Sequence, residues 1–263
     1  MKSKIMEFLI FEPFYSLALF GIGILTGILA GFFGIGGGAI LVPLVMMLGH
    51  DIKIAIGISI MQMIFSSVYG SYVNYKRKLL DARDGIYVGI GGLIGAAFSG
   101  FVIDYVSSKT LEVVFSIFIM YSFVKLFGAS AYGGEKRIGE GIASKVFLVL
   151  CGCFVGVFAI SLGIGGGMML APLLAYYLGY SSKQIIPLSL FFVIFSSVSG
   201  FTSLALHGYA SFKGGIIVGI ASLIGVRIGI FLLSKIDAKK HKATLLIMYA
   251  IVLAIMFNKM FFN

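Results

Sequence analysis

The sequence predicts an all-α polytopic membrane protein made of two inverted-topology repeats, each a glycine-broken helix hairpin plus three transmembrane helices. Three observations carry that prediction. Hydrophobic residues make up 60% of the chain and charged residues 11%, against about 45–50% and about 25% in an ordinary soluble domain. The apolar residues come in runs of about 20, enough for a helix to cross a bilayer, and not in the alternating segments of about 10 that build a membrane barrel. The second half of the chain repeats the first at an offset of about 130 residues.

A water-soluble globule of 263 residues could not cover its surface with so little charge. Soluble enzymes, secreted disulfide scaffolds and disordered chains are thereby excluded. The net charge of +10 invites a nucleic-acid partner. However, the Lys and Arg residues stand in short loops between apolar runs, where they set orientation in the membrane. The expected partners are the lipid bilayer and a small anionic substrate, with no nucleic acid and no cofactor. Cys151 and Cys153 lie inside one apolar run and are expected to pack as small hydrophobes.

The first run, Phe14 to Gly49, is too long for one crossing at 1.5 Å per residue. Gly34, Gly36, Gly37 and Gly38 interrupt it. A helix near 14–33 should therefore pass through a break into a short helix near 39–49, about 16 Å long and roughly half the hydrocarbon core. Lys2 and Lys4 precede the run, and no small-x-small cleavage site follows it, so a retained first membrane helix is expected rather than a signal peptide. Spans near 52–75, 85–104 and 110–128 come next. The polar stretch around Tyr132–Arg137 is the obvious linker. Repeat 1 is thus placed at 1–130, a cytoplasmic linker at 131–145 and repeat 2 at 146–263. Repeat 2 comprises a helix near 146–164, a second break, a short helix near 167–178, and spans near 184–206, 214–233 and 243–260. Counting each broken segment once gives about eight spans in a multi-pass protein of the cell (inner) membrane.

The duplication extends to detail. GILAGFFGIGGG over Gly27–Gly38 matches GVFAISLGIGGG over Gly156–Gly167, and Pro43 falls on Pro172. The string IFSSV occurs at 64–68 and again at 194–198. A match of this length at one offset points to gene duplication. If each broken segment enters and leaves on one side, each half has three further crossings and the second half is inverted. Twelve basic residues then fall on the cytoplasmic side and six outside, with the dense 235–242 cluster inside. Parallel halves give eleven to seven and put that cluster outside.

Irregular backbone at membrane depth survives only when buried in protein or lining a wet cavity. Paired breaks in the two halves of a duplicated membrane chain point to a transporter's substrate site. A helix that starts after GIGGG offers free N–H groups and a partial positive charge. Glycine lets a ligand approach the backbone closely. Gly34, Gly36, Gly37 and Gly38, with Gly163, Gly165, Gly166 and Gly167, are therefore the expected anion-binding backbone. Pro43 and Pro172 follow and should forbid ordinary helix continuation. Ser66, Ser67, Ser196 and Ser197 could donate hydroxyls to an anion, or could bond back to their own helices. Gln62 breaks the symmetry, since Phe192 is its counterpart, and a mid-span amide needs a partner. Arg227 lies within a span, where an Arg usually faces a cavity or partner. The span interiors carry no paired acids and no Ser–His or Cys–His pair, so an intramembrane enzyme is not expected.

Twin GIGGG-x4-P segments at 34–43 and 163–172, in two halves of a basic chain of this length, resemble the TauE/SafE family of sulfite-exporter-like membrane proteins. The resemblance covers nearly the whole chain. It implies a secondary transporter of small sulfur-containing anions such as sulfite or organosulfonates, and it carries over to Gly34–Gly38 and Pro43, and to Gly163–Gly167 and Pro172. Gln62, the serine pairs and Arg227 rest on the physical argument alone. The expected function is anion export by alternating access. The alternatives are an anion channel, or a transporter of a non-sulfur organic anion.

Overall fold

The computed structural model describes residues 2–80, 82–128, 141–167, 169–170, 173–174 and 182–262. All regular structure in these residues is helical. The elements are α1 (Lys2–Phe33), α2 (Gly38–Met47), α3 (Ile52–Lys76), α4 (Ala82–Ala96), α5 (Ser99–Tyr105) and α6 (Ser108–Gly128) in the first half. The second half has α7 (Ile142–Ser161), α8 (Ser182–Leu206), α9 (Phe212–Leu233) and α10 (Ala238–Phe262). Gly167, Met169, Leu170, Leu173 and Leu174 are helical too, in the place α2 occupies in the first half.

Seven stretches among the described residues are long and apolar enough to cross a membrane: Phe14–Phe33, Ile52–Lys76, Gly85–Tyr105, Ser144–Ser161, Ile185–Leu206, Phe212–Leu233 and Lys240–Lys259. The 21-residue α6 has the same length and lies against α10. Large apolar side chains such as Leu17, Ile117, Leu150 and Ile251 point outward, as lipid contact requires. The chain is a multi-pass membrane protein.

Glycine seams fix the packing. Gly23, Gly27 and Gly31 of α1 face Val218, Ser222 and Val226 of α9, while Gly225 and Gly229 of α9 face Ile24 and Ile28 of α1. A Cβ on Gly27 would stand 2.7 Å from the Ser222 Cα, closer than carbon atoms pack, so only glycine permits the approach. Small residues four apart are the usual means of close helix contact in lipid. The same seam recurs between α4 and α7, where Gly91 and Gly95 meet Val149 and Cys153, and Gly152 and Gly156 meet Val88 and Gly92. Along both seams the residue numbers rise together, so the paired helices run in the same direction. The first helix of each half thus packs on a helix of the other half.

The helices α3 and α8 are centrally placed and touch each other, α9 lies on α3, and α4 lies on α8. Gly57 sits beside the Tyr209 carbonyl and Gly70 beside Leu190, so α3 and α8 run in opposite directions.

Three expectations need correction or restriction. The span expected over 85–104 is present as Gly85–Tyr105, but two helices build it, with a turn at Ala97–Phe98 between α4 and α5. Ser203 of α8 fits this turn, donating its hydroxyl to the Ala97 carbonyl at 2.7 Å and accepting the Gly100 N–H at 3.0 Å. The Ser99 hydroxyl bonds the Ala96 carbonyl at 2.7 Å, so a polar side chain satisfies each freed backbone group named. Secondly, α2 continues through Pro43. The ring is tolerated there, although Pro43 has no N–H to offer the Ala39 carbonyl. Thirdly, most of the 131–145 linker, and Pro172, lie outside the described residues.

Candidate anion site at the paired helix breaks

The first break is made by glycine geometry. Gly34, Gly36 and Gly37 have φ of 71°, 80° and 85°, and in the second break Gly163 and Gly165 have 65° and 82°. These left-handed values are costly for any residue with a Cβ. They stop α1 after Phe33 and restart the chain as α2, with Gly37 as an N-cap that has no side-chain cap bond. The Gly37 carbonyl accepts the N–H groups of Ile40 and Leu41 at 3.3 and 3.2 Å.

The breaks meet each other. A Cβ on Gly38 would strike the Gly163 carbonyl, and one on Gly167 would strike the Gly34 carbonyl, which is the reciprocal contact. A Cβ on Gly165 would strike the carbonyl of Ile35. Residues 34–43 of the first break and 161–167 of the second are buried. Among the described residues, the N–H groups of Gly36, Gly37, Gly38 and Ala39 donate to no acceptor, and neither do those of Gly165, Gly166 and Gly167. Buried unpaired N–H groups are rare in folded proteins. Here they gather where two helices begin, which is anion-binding geometry.

The middle of α3 lines this junction. Ser59 donates its hydroxyl to the Gly163 carbonyl at 2.8 Å. The Ser66 hydroxyl lies 3.5 Å from the Gly36 carbonyl and 3.3 Å from its own helix's Met63 carbonyl. Space beside Gly36 is closed by Met63 and Val193. Gln62 shares the face of Ser59 and Ser66 by helical spacing. It is fully buried, and neither its amide oxygen nor its amide nitrogen has a partner. At the equivalent place on α8, the Phe192 ring packs against Gly166. The two halves therefore present different chemistry to the junction: an open amide from one, an aromatic ring from the other. The buried polar side chains among the described residues are all uncharged, so any charge recognition there comes from N–H dipoles.

The other sequence candidates are placed less centrally. The hydroxyls of Ser67, Ser196 and Ser197 lie 3.2–3.4 Å from carbonyls of their own helices, the intrahelical alternative. Arg227 is not brought to the site. It is exposed on α9 between the exposed Ile224 and Ile228, because the glycine seam with α1 claims the opposite, buried face through Gly225, Val226 and Gly229. Ser59 was missed by sequence reasoning. Its signal was present, since Ser189 repeats it at the 130-residue offset, and Ser189 is itself buried with an unpartnered hydroxyl.

Comparison with known proteins places the chain among membrane transporters. Residues 19–256 match a family described as "Sulfite exporter TauE/SafE". A probable membrane transporter protein of Methanocaldococcus jannaschii is 27% identical over 249 residues, covering 89% of this chain and 90% of the relative. The probable membrane transporter protein YunE of Bacillus subtilis is 25% identical, covering 88% and 92%. No solved structure matches the chain.

Proposed function

Because the chain belongs to the TauE/SafE family and is a membrane transporter, we propose that it exports a small sulfur-containing anion, such as sulfite or an organosulfonate, as a secondary transporter. The observation that carries the proposal is the meeting of the two buried glycine breaks, with N–H groups that have no acceptor among the described residues on either side of the Gly38–Gly163 contact. An oxyanion has several acceptor oxygens and no donors. It suits a junction that offers N–H groups, the Gln62 amide and no fixed negative charge.

The transport step follows from the same parts. The halves are proposed to be inverted repeats that rock about the Gly34–Gly38 and Gly163–Gly167 junction, exposing the anion to one side and then the other. The opposite running of α3 and α8 supports this relation. Export of an anion is assisted by a negative-inside potential at about 2.3 kcal/mol per charge per 100 mV.

The test is flux into proteoliposomes of sulfite, sulfoacetate, thiosulfate and a carboxylate, at imposed potential and pH gradient. Saturable flux selective for a sulfur anion is the expected outcome. Flux of the carboxylate alone would move the substrate outside sulfur chemistry, and unitary currents in a planar bilayer would replace the alternating mechanism with a channel.

A further inference from the structure

The central helices differ along one line of side chains. On α3, Gln62, Ser66, Gly70 and Asn74 stand four residues apart and form one ridge. It climbs about 18 Å from the glycine junction toward the end of the helix. Gln62, Ser66 and Asn74 are each at least 97% buried. The Asn74 amide nitrogen and both amide atoms of Gln62 have no hydrogen-bond partner, and neither does the hydroxyl of the buried Ser71 beside the ridge. Buried polar atoms without partners are costly, so a run of them along one helix calls for an occupant.

The matching ridge on α8 is Phe192, Ser196, Gly200 and Leu204, with Phe201 in the place of Ser71. Its ends are apolar, and Phe192 and Leu204 are fully buried. The charges beyond the two ridges differ as well. One turn past Asn74 stand Lys76, Arg77 and Lys78, all exposed. Past Leu204 comes His207, whose ring lies 3.6 Å from the Asp104 carboxylate, and the Tyr209 hydroxyl donates to that carboxylate at 2.9 Å. The second mouth also holds one lysine, Lys53, over the Tyr209 ring at 5.3 Å, against three cations at the first, so an anion is drawn more strongly to the first.

We propose that the Gln62–Asn74 ridge of α3 is the loading route for the anion, leading from the basic mouth at Lys76–Lys78 past Leu190 and Val226, which pack on Gly70, to the glycine junction, while Phe192 and Leu204 make the matching line along α8 apolar. The route supplies neutral hydrogen-bond donors, which suit a partly dehydrated oxyanion or sulfonate and its waters. It rests on the anion-site proposal above and adds the side from which the site is filled.

The test is reaction of introduced cysteines with the sulfonate reagent 2-sulfonatoethyl methanethiosulfonate, in full-length protein carrying Cys151→Ala and Cys153→Ala, reconstituted in liposomes. The reagent is applied from the face that bears Lys76–Lys78. Only a water-accessible, ionised thiol reacts, so Ser71→Cys and Asn74→Cys should react about tenfold or more faster than Phe201→Cys and Leu204→Cys. Equal rates, or reaction of the α3 positions only from the opposite face, would overturn the route. Asn74→Leu, which takes the residue of α8, should cut sulfite flux about tenfold with an unchanged chromatographic profile. Labelling does not depend on transport. Labelled α3 positions in protein that moves no sulfur anion would uphold the route and remove the sulfur substrate. Sulfite flux without such labelling would remove the route alone.

Discussion

At the scale of single residues, two positions separate function from stability. Gly38 and Gly21 are both helical glycines, yet a Cβ on Gly38 meets the Gly163 carbonyl, while a Cβ on Gly21 meets nothing within 4 Å. Gly38→Ala should abolish saturable flux and lower stability by about 1–3 kcal/mol through overpacking. Gly21→Ala should retain flux and gain up to about 1 kcal/mol from helix propensity. Thermal unfolding in detergent alongside flux checks the pair. Gln62 behaves in the opposite sense. Gln62→Met removes two unpartnered buried polar atoms and should raise stability by about 1–3 kcal/mol while flux falls; a variant both less stable and fully active would contradict a substrate-facing amide. The glycines were legible because their run is dense and duplicated. The hydroxyls of Ser67 and Ser197 were not, since a serine on a buried helix face can equally bond its own backbone, and only rotamers decide between the two.

At the scale of elements, the turn between α4 and α5 shows the limit of hydropathy. Residues 85–104 form one apolar run, and within it only the Ser99–Gly100 pair hints at the turn over Ala97–Phe98. The cause lies in another helix, in the hydroxyl of Ser203 that bridges Ala97 and Gly100. The first half has Val73 at the equivalent place, and α9, the counterpart of α4 and α5, is unbroken from Phe212 to Leu233. Ser203→Val should therefore cost about 1–3 kcal/mol by leaving the Gly100 N–H and Ala97 carbonyl unpaired. A melting temperature equal to that of the unaltered protein would show that the turn supports itself. Arg227 belongs to the same lesson. A charge within a span is legible in sequence, but the face it occupies is set by the Gly225–Gly229 seam, and that seam turns it outward.

At the scale of the whole molecule, loop labelling reads the orientation of the halves. Cysteines introduced in the 76–83 and 235–242 loops should be labelled by an impermeant reagent from the same face of the membrane, as inverted halves require, whereas labelling from opposite faces would make the halves parallel. The repeat and its approximate spans were open to sequence because hydrophobic length and loop charge report directly on crossing a bilayer. The reciprocal clasp of α1 on α9 and of α7 on α4 was not, because nothing in one half of a sequence names its partner in the other. That clasp has a consequence for biogenesis. When α1 enters the membrane its glycine face has no mate, since Ser222 is translated about 195 residues after Gly27, or roughly 10–40 s later at about 5–20 residues per second. Throughout that interval the nascent chain must shelter an unpaired seam, against lipid or an insertion factor. A lone first half, as an ancestor before the gene doubled, would have found its mate only in a second copy of itself.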